Sequence, residues 1–214
     1  MTKSNSYILD FEIDNLTDSI LNRISGDSFR TEISLATKAD LKIITKSRGW
    51  SFDWKFEFNQ PDREVYKLTI IDNPVIVQGL VSLTVKSDHV YMYLLESAPF
   101  NIGRNKLYEG VPGNLVAFAC KLSFQRGGEG FVSFESKTNL IDHYVKTLGA
   151  YHFGGHLMVI DTMGLIKEPE GVDFVIQSKP LTEKQQKELS EFIAKRKLEI
   201  KKKAKKSTYT QQTV

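Results

Sequence analysis

The chain has 214 residues, 41% hydrophobic and 26% charged, with a formal net charge of +3. That is the composition of a globular protein with a sizeable core, and its single cysteine, Cys120, excludes an internal disulfide or a thiolate metal cluster. No apolar run approaches the roughly 20 residues needed to span a bilayer, and the start, MTKSNSYILDFEIDNL, has no extended apolar stretch, so the cytoplasm is the expected compartment.

In chain order, Leu16, Ile20 and Ile24 recur every four residues and predict a short helix ending near Gly26. FRTEISLAT (29–37) alternates and reads as a strand, and KADLKIITKSRGW (38–50) as a helix closing at Gly49. SFDWKFEF (51–58) places Phe52, Trp54, Phe56 and Phe58 on one face of an extended segment. Three apolar runs, 65–71, 75–85 and 90–99, are separated by the short turns DNP and SDH, the signature of an antiparallel meander.

The period then changes. GNLVAFACKLSFQ (113–125) puts Leu115, Phe118, Ala119 and Leu122 on one helical face, and Gly127, Gly128 and Gly130 end it. FVSFES (131–136) is a short strand, TNLIDHYVKTLGA (138–150) a helix stopped by Gly149, and HLMVID (156–161) a further strand, with His152 and His156 straddling a turn. Thr182 and Gln185 form a capping box ahead of a last helix with a narrow apolar stripe, Leu189, Phe192, Ile193, Arg196 and Ile200. The expected organisation is one domain over 1–178 and a capped helix with a Lys-rich tail over 179–214. The expected fold is mixed α/β: a central, mostly antiparallel sheet flanked by helices.

Of the 29 basic and 26 acidic residues, eight basic and one acidic fall in 195–206, a local +7; the other 21 and 25 leave the body at −4. Nucleic acid is therefore expected to meet the tail only, if at all. The competing reading of the tail is a solvated, fraying end whose apolar stripe packs on the body or on a second subunit, as in a homodimer.

Two glycines and a proline in YEGVPGNL (108–115) stand directly before a helix, after the third strand of the meander. Ligands of open α/β sheets bind where strands diverge. Helix N-termini attract anions, and glycine lets a diphosphate approach the backbone; the plain alternative is that the glycines shape a turn. The strands 65–71, 75–85 and 90–96, this turn and its helix, strand 131–136 and YVKTLGA (144–150) resemble the GNAT superfamily of acetyl-CoA-dependent acyltransferases over about residues 30–162. Val145 and Ala150 depart from the family's acidic and aromatic residues, and Tyr108 stands where Arg or Gln is usual.

The resemblance implies acetyl-CoA as co-substrate. Its pyrophosphate would lie on the amides of Gly113, Asn114 and Leu115, within the turn shaped by Gly110 and Val111. Its pantetheine arm would pair like an extra strand near Leu94 and Leu95, with the thioester in the gap between strands 90–96 and 131–136. Tyr144 would protonate the leaving thiolate, and Glu96 would serve as base for the acceptor amine. Read without the resemblance, Tyr144 is an apolar-face aromatic with its hydroxyl at the surface, and Glu96 a solvated carboxylate at a strand end.

RGWSFDWKFEF (48–58) offers an aromatic wall with Asp53 and Glu57 for a cationic amine, or else a core strand with a charged outer face. The histidines show no metal-ligand spacing, so no metal is expected. Three functions remain: an N-acetyltransferase acting on a small-molecule, protein-borne or RNA-borne amine; a toxin-type enzyme acetylating a charged tRNA; and a non-catalytic acyltransferase-like protein that binds a partner or a nucleotide.

Overall fold

The computed structural model describes residues 18–137, 140–161 and 175–211, with 203–211 described as helical backbone. The meander is present as expected: β3 (Glu64–Ile70), β4 (Asn73–Val85) and β5 (Val90–Ser97) pair antiparallel in sequence order. Every residue of β5 is buried, as its unbroken apolar run VYMYLL requires of a strand covered on both faces.

Upstream, β2 (Ser28–Leu35) joins β3 as predicted. The expected helix around Ile20 is instead a strand, β1 (Ser19–Asn22), hydrogen-bonded between β2 and the two-residue β6 (Tyr108–Glu109). Spacing by four misled here because Asn22 starts a turn: its Oδ1 accepts from the amides of Ile24 and Ser25, and Gly26 completes the reversal at φ +76°. Ile24 is left in solvent, and Leu16 lies outside the described residues.

Segment 38–50 forms two 3-10 turns, Asp40–Lys42 and Lys46–Arg48, the second closed by Gly49 where a helix end was expected. Residues 51–58 are not extended. Asp53 accepts from the Phe56 amide and caps a short helix, α1 (Trp54–Phe58), which buries Trp54 and leaves Phe56 exposed.

Beyond β5, α2 (Val111–Gln125) leads to β7 (Val132–Glu135), α3 (Ile141–Leu148) and the hairpin β8 (Tyr151–Gly154) and β9 (Leu157–Ile160). His152 lies on β8, ahead of the turn at 155–156 that leads into β9. Gly149 ends α3 with left-handed geometry, and residues 138–139 of the predicted helix lie outside the described residues. The sheet runs β6-β1-β2-β3-β4-β5-β7-β9-β8, antiparallel at each junction except the parallel β5/β7 pair.

α2 and α3 pack on one face, over a core that includes Leu68, Val81, Leu95, Leu115, Phe134 and Tyr144. On the other face, segment 36–58 buries Trp50 and Trp54 against Val65, Leu80 and Leu94. Beside it, α4 (Glu183–Gln211) lays Leu189 and Ile193 on Tyr91, Tyr93, Leu157 and Val159. The capping box is formed, with Gln185 Oε1 accepting from the Thr182 amide and the Thr182 hydroxyl capping the Gln185 amide. The apolar stripe of the last helix thus packs on the body of its own chain. So does the start of its basic run. Arg196 donates to Asp161 at 3.0 Å and to the Tyr151 hydroxyl, and Lys197 donates to the Asp88 carbonyl at 3.1 Å.

Candidate functional site

β5 and β7 pair only at Val90 with Val132 and Tyr91 with Ser133, then part. A parallel pair that opens toward its carboxyl ends leaves the main-chain groups beyond Tyr91 without each other as partners, and such groups must be satisfied by something else. A segment of the same chain does this. β10 (Ile176–Gln177) enters the opening and pairs antiparallel with β5, Ile176 opposite Leu95 and Gln177 opposite Leu94.

Ser178 then ties the two sides together. Its amide donates to the Tyr93 carbonyl at 2.7 Å, its hydroxyl donates to the Met92 carbonyl at 2.7 Å, and its Oγ accepts from the Glu135 amide at 2.8 Å. The Lys179 amide donates to Glu135 Oε2 at 3.0 Å, and the Tyr91 hydroxyl donates to the Lys179 carbonyl at 2.6 Å. Ile176 is 1% exposed. Leu94 and Leu95 therefore present a strand-pairing edge, and the chain itself is paired on it.

Tyr144 reaches the same place from α3. It is 1% exposed, stands edge-to-face with Phe134 at 5.3 Å, and donates from its hydroxyl to the Val175 carbonyl at 3.2 Å, one residue before β10. Its hydroxyl is thus inside the opening, not at the surface. Burial pushes its pKa up to about 12. The ring of His143 lies 5.8 Å from that of Tyr144; its Nε2 is buried without a hydrogen-bond partner, and burial lowers its pKa.

Glu96 is fully buried and not solvated. Its Oε1 accepts from the Ser51 amide at 2.6 Å and its Oε2 from the Trp54 indole at 2.7 Å. The carboxylate therefore anchors segment 51–54 to the end of β5. The neighbouring aromatic stretch is core: Trp50 and Trp54 are buried, Asp53 caps α1, and Glu57 binds Arg63 at 2.6 Å and the Ser82 hydroxyl at 2.7 Å. The Arg63 guanidinium stacks 3.7 Å from the centre of the Tyr93 ring.

The glycine turn is approached closely, and the approaching group is protein. Gly110 has φ +93°, and a Cβ there would meet the Ser19 carbonyl at 3.4 Å. The Asn114 side chain donates to the carbonyls of Ser19 and Gly110 at 2.9 and 2.8 Å and accepts from the Thr31 hydroxyl at 2.9 Å, joining β1, β2 and α2. Val111 packs so closely on β4 that a Cβ at Gly79 would lie 2.7 Å from its Cγ1.

The helix begins at Val111, two residues before the expected start, so the Asn114 amide already donates to the Gly110 carbonyl and Leu115 lies beyond the first turn. Of the three amides expected to hold a pyrophosphate, only that of Gly113 precedes the first helical hydrogen bond. Gly113 is half-buried, while Gly110, Val111, Asn114 and Leu115 are buried.

Sequence reasoning missed Ser178 and Glu135. The signal available was the β-branched pair in VIQS (175–178), directly before the capping box. Cys120 is buried, and burial pushes its thiol up to about 12, where it is inert. Among the described residues, no group of three His, Cys, Asp or Glu side chains is placed to hold a metal ion, and no helix is long and apolar enough to cross a membrane.

No family model matches the chain, and no curated protein matches its sequence. Among solved structures it is similar to the ribosomal-protein-S18-alanine N-acetyltransferase of Escherichia coli, at 15% identity over 67% of this chain and 99% of that one, with a TM-score of 0.39. A mutant AtaT toxin bound to the C-terminus of the antitoxin AtaR and acetyl-CoA is similar at 14% identity over 62% and 93% of the two chains, TM-score 0.41. A spermidine N-acetyltransferase SpeG chimera from Vibrio cholerae and hSSAT is similar at 12% identity over 61% and 94%, TM-score 0.40.

Proposed function

We propose that this protein is an acetyl-CoA-dependent N-acyltransferase that moves an acetyl group to an amine by direct attack. The observation that carries the reading is the opening between β5 and β7, whose Tyr93–Leu95 edge pairs with an extended, amide-bearing chain while the Tyr144 hydroxyl touches the same strip. A pantetheine arm is also an extended chain with amides, so these residues fit it. The fit at the glycine turn is narrower, with the Gly113 amide as the donor for a phosphate oxygen.

Bound acetyl-CoA supplies an activated acyl group as a thioester. Main-chain groups of Tyr93 to Leu95 would hold the arm, and the Tyr144 hydroxyl would offer its proton to the thioester from within the same opening. With its pKa near 12, Tyr144 stays protonated at neutral pH. Against a thiol of pKa about 8.5, full proton transfer is uphill, so the phenol stabilises developing negative charge by donating a hydrogen bond. Glu96 is buried and both oxygens accept from segment 51–54, so we assign it a positioning role rather than that of the base. As the N–C bond forms, the C–S electron pair would leave on the thiolate, and the amine's proton would pass to water or to that thiolate.

A second reading, a non-catalytic acyltransferase-like binding protein, is favoured by one observation: β10 lies in the opening. Calorimetry with acetyl-CoA separates the two. Micromolar binding, about −8 kcal/mol, that is lost in Gly113→Glu supports the enzyme. With an amine acceptor in hand, Tyr144→Phe should lower kcat more than it weakens coenzyme binding. A folded protein that never engages acetyl-CoA selects the second reading.

A further inference from the structure

We propose that residues 175–179 are an intrasteric pseudo-ligand: the segment must leave the β5/β7 opening before coenzyme can enter, so the chain regulates its own site. The inference rests on the acyltransferase reading and adds to it that docking of this segment and coenzyme binding exclude one another.

Three observations lead there. The segment is held by the main-chain groups that face the opening: the Met92 and Tyr93 carbonyls on β5 and the Glu135 amide on β7. Its strand pairing falls on Leu94 and Leu95, the pair to which the resemblance assigns the pantetheine arm. The Tyr144 hydroxyl, the one side-chain donor assigned to the chemistry, is occupied by the Val175 carbonyl. Two extended chains cannot use one strand edge at the same time.

The strand pairing within this attachment is short. β10 contributes two paired residues, and of these only Ile176 is buried while Gln177 is exposed. When the competent form is a fraction of the population, apparent affinity falls by that fraction, so loosening the strap should tighten binding without any new contact to the ligand.

The test uses the full-length protein, with acetyl-CoA as the probe. Ser178→Pro removes the amide that donates to Tyr93 and the hydroxyl that bridges Met92 and Glu135. Ser178→Ala keeps the amide and removes only the hydroxyl, and it carries the comparison if the proline variant fails to fold by near-ultraviolet circular dichroism. Ser178→Pro should bind acetyl-CoA at least about tenfold more tightly than wild type, and Ser178→Ala should shift the same way by less. In wild type, saturating acetyl-CoA should speed hydrogen exchange at the Ser178 amide.

Equal affinities for all three proteins, with Ser178 still protected when acetyl-CoA is bound, would overturn the inference and leave the acyltransferase reading standing. If neither wild type nor a folded Ser178 variant binds acetyl-CoA, the acyltransferase reading falls and this inference falls with it.

Discussion

Glu96 and Trp54 are joined by a 2.7 Å hydrogen bond from the indole nitrogen to a carboxylate oxygen inside the protein. The other oxygen takes the Ser51 amide, so a residue at the end of β5 sets where the chain re-enters the core after its two 3-10 turns. A carboxylate accepts at both oxygens; an amide accepts at one and donates at the other. Glu96→Gln should therefore leave one buried donor facing a donor whichever way the amide is turned, and cost about 1–3 kcal/mol. Urea unfolding reads the loss, and tryptophan emission should shift red if Trp54 is released. Unchanged stability and emission would show that the pair is not the anchor.

Asn114 makes a comparable claim on the other face. Its side chain satisfies carbonyls of Ser19 and Gly110 and takes the Thr31 hydroxyl. Asn114→Ala should lower stability by about 2–3 kcal/mol, because it leaves buried groups of β1, β2 and α2 unsatisfied. The loss should be accompanied by faster hydrogen exchange along Ser19–Asn22. If the turn serves coenzyme instead, the variant should keep its stability and lose affinity for acetyl-CoA.

Arg196 latches α4 to the sheet through Asp161, whose side chain is 2% exposed. Arg196→Ala removes the guanidinium partner of that carboxylate and its contact with the Tyr151 ring. Part of Arg196 remains in solvent, so the expected cost is about 2 kcal/mol, below the 3–5 typical of a fully buried pair. Limited proteolysis in α4 should become faster, and an unchanged digestion pattern would mean that Leu189 and Ile193 alone hold the helix.

Asp40 should make part of the stability dependent on pH. Burial acts to raise its pKa, but the Lys67 ammonium at 2.7 Å and the Thr37 hydroxyl and amide outweigh burial and hold the carboxyl below its ordinary value. On acidification the unfolded chain takes up this proton first. The contribution is therefore complete above pH of about 4 and is lost as pH falls through the folded value. The stability difference between wild type and Asp40→Asn should be largest at neutral pH and shrink toward pH of about 2 in urea titrations; a difference that stays constant with pH would refute the pairing.

The resemblance drawn from YEGVPGNL and YVKTLGA placed Tyr144 and the Leu94–Leu95 edge at one opening, and the fold brings them together there. The glycine turn was legible as a place of close approach, but the approaching group was not legible. Gly110 signals positive φ whether a strand or a phosphate lies beside it, and the strand that does lie there begins at Ser19, at the other end of the described chain. The aromatic alternation in SFDWKFEF failed for a related reason. Four aromatics over seven residues carry too little periodicity to outweigh one capping carboxylate at Asp53 and one tertiary anchor at Glu96.

What the sequence alone determined is what local physics decides: the meander, from alternating apolar runs and two short turns; the stop of α3 at Gly149; and the start of α4 at the Thr182 capping box. What only the tertiary structure decided is which partner takes each exposed group. Ser178 finds the Met92 carbonyl across 86 residues of chain, and Asn114 finds the Ser19 carbonyl across 95. A strand edge or a helix start advertises hydrogen bonds to be made, and those bonds have the same chemistry whether the partner is a ligand or the chain itself.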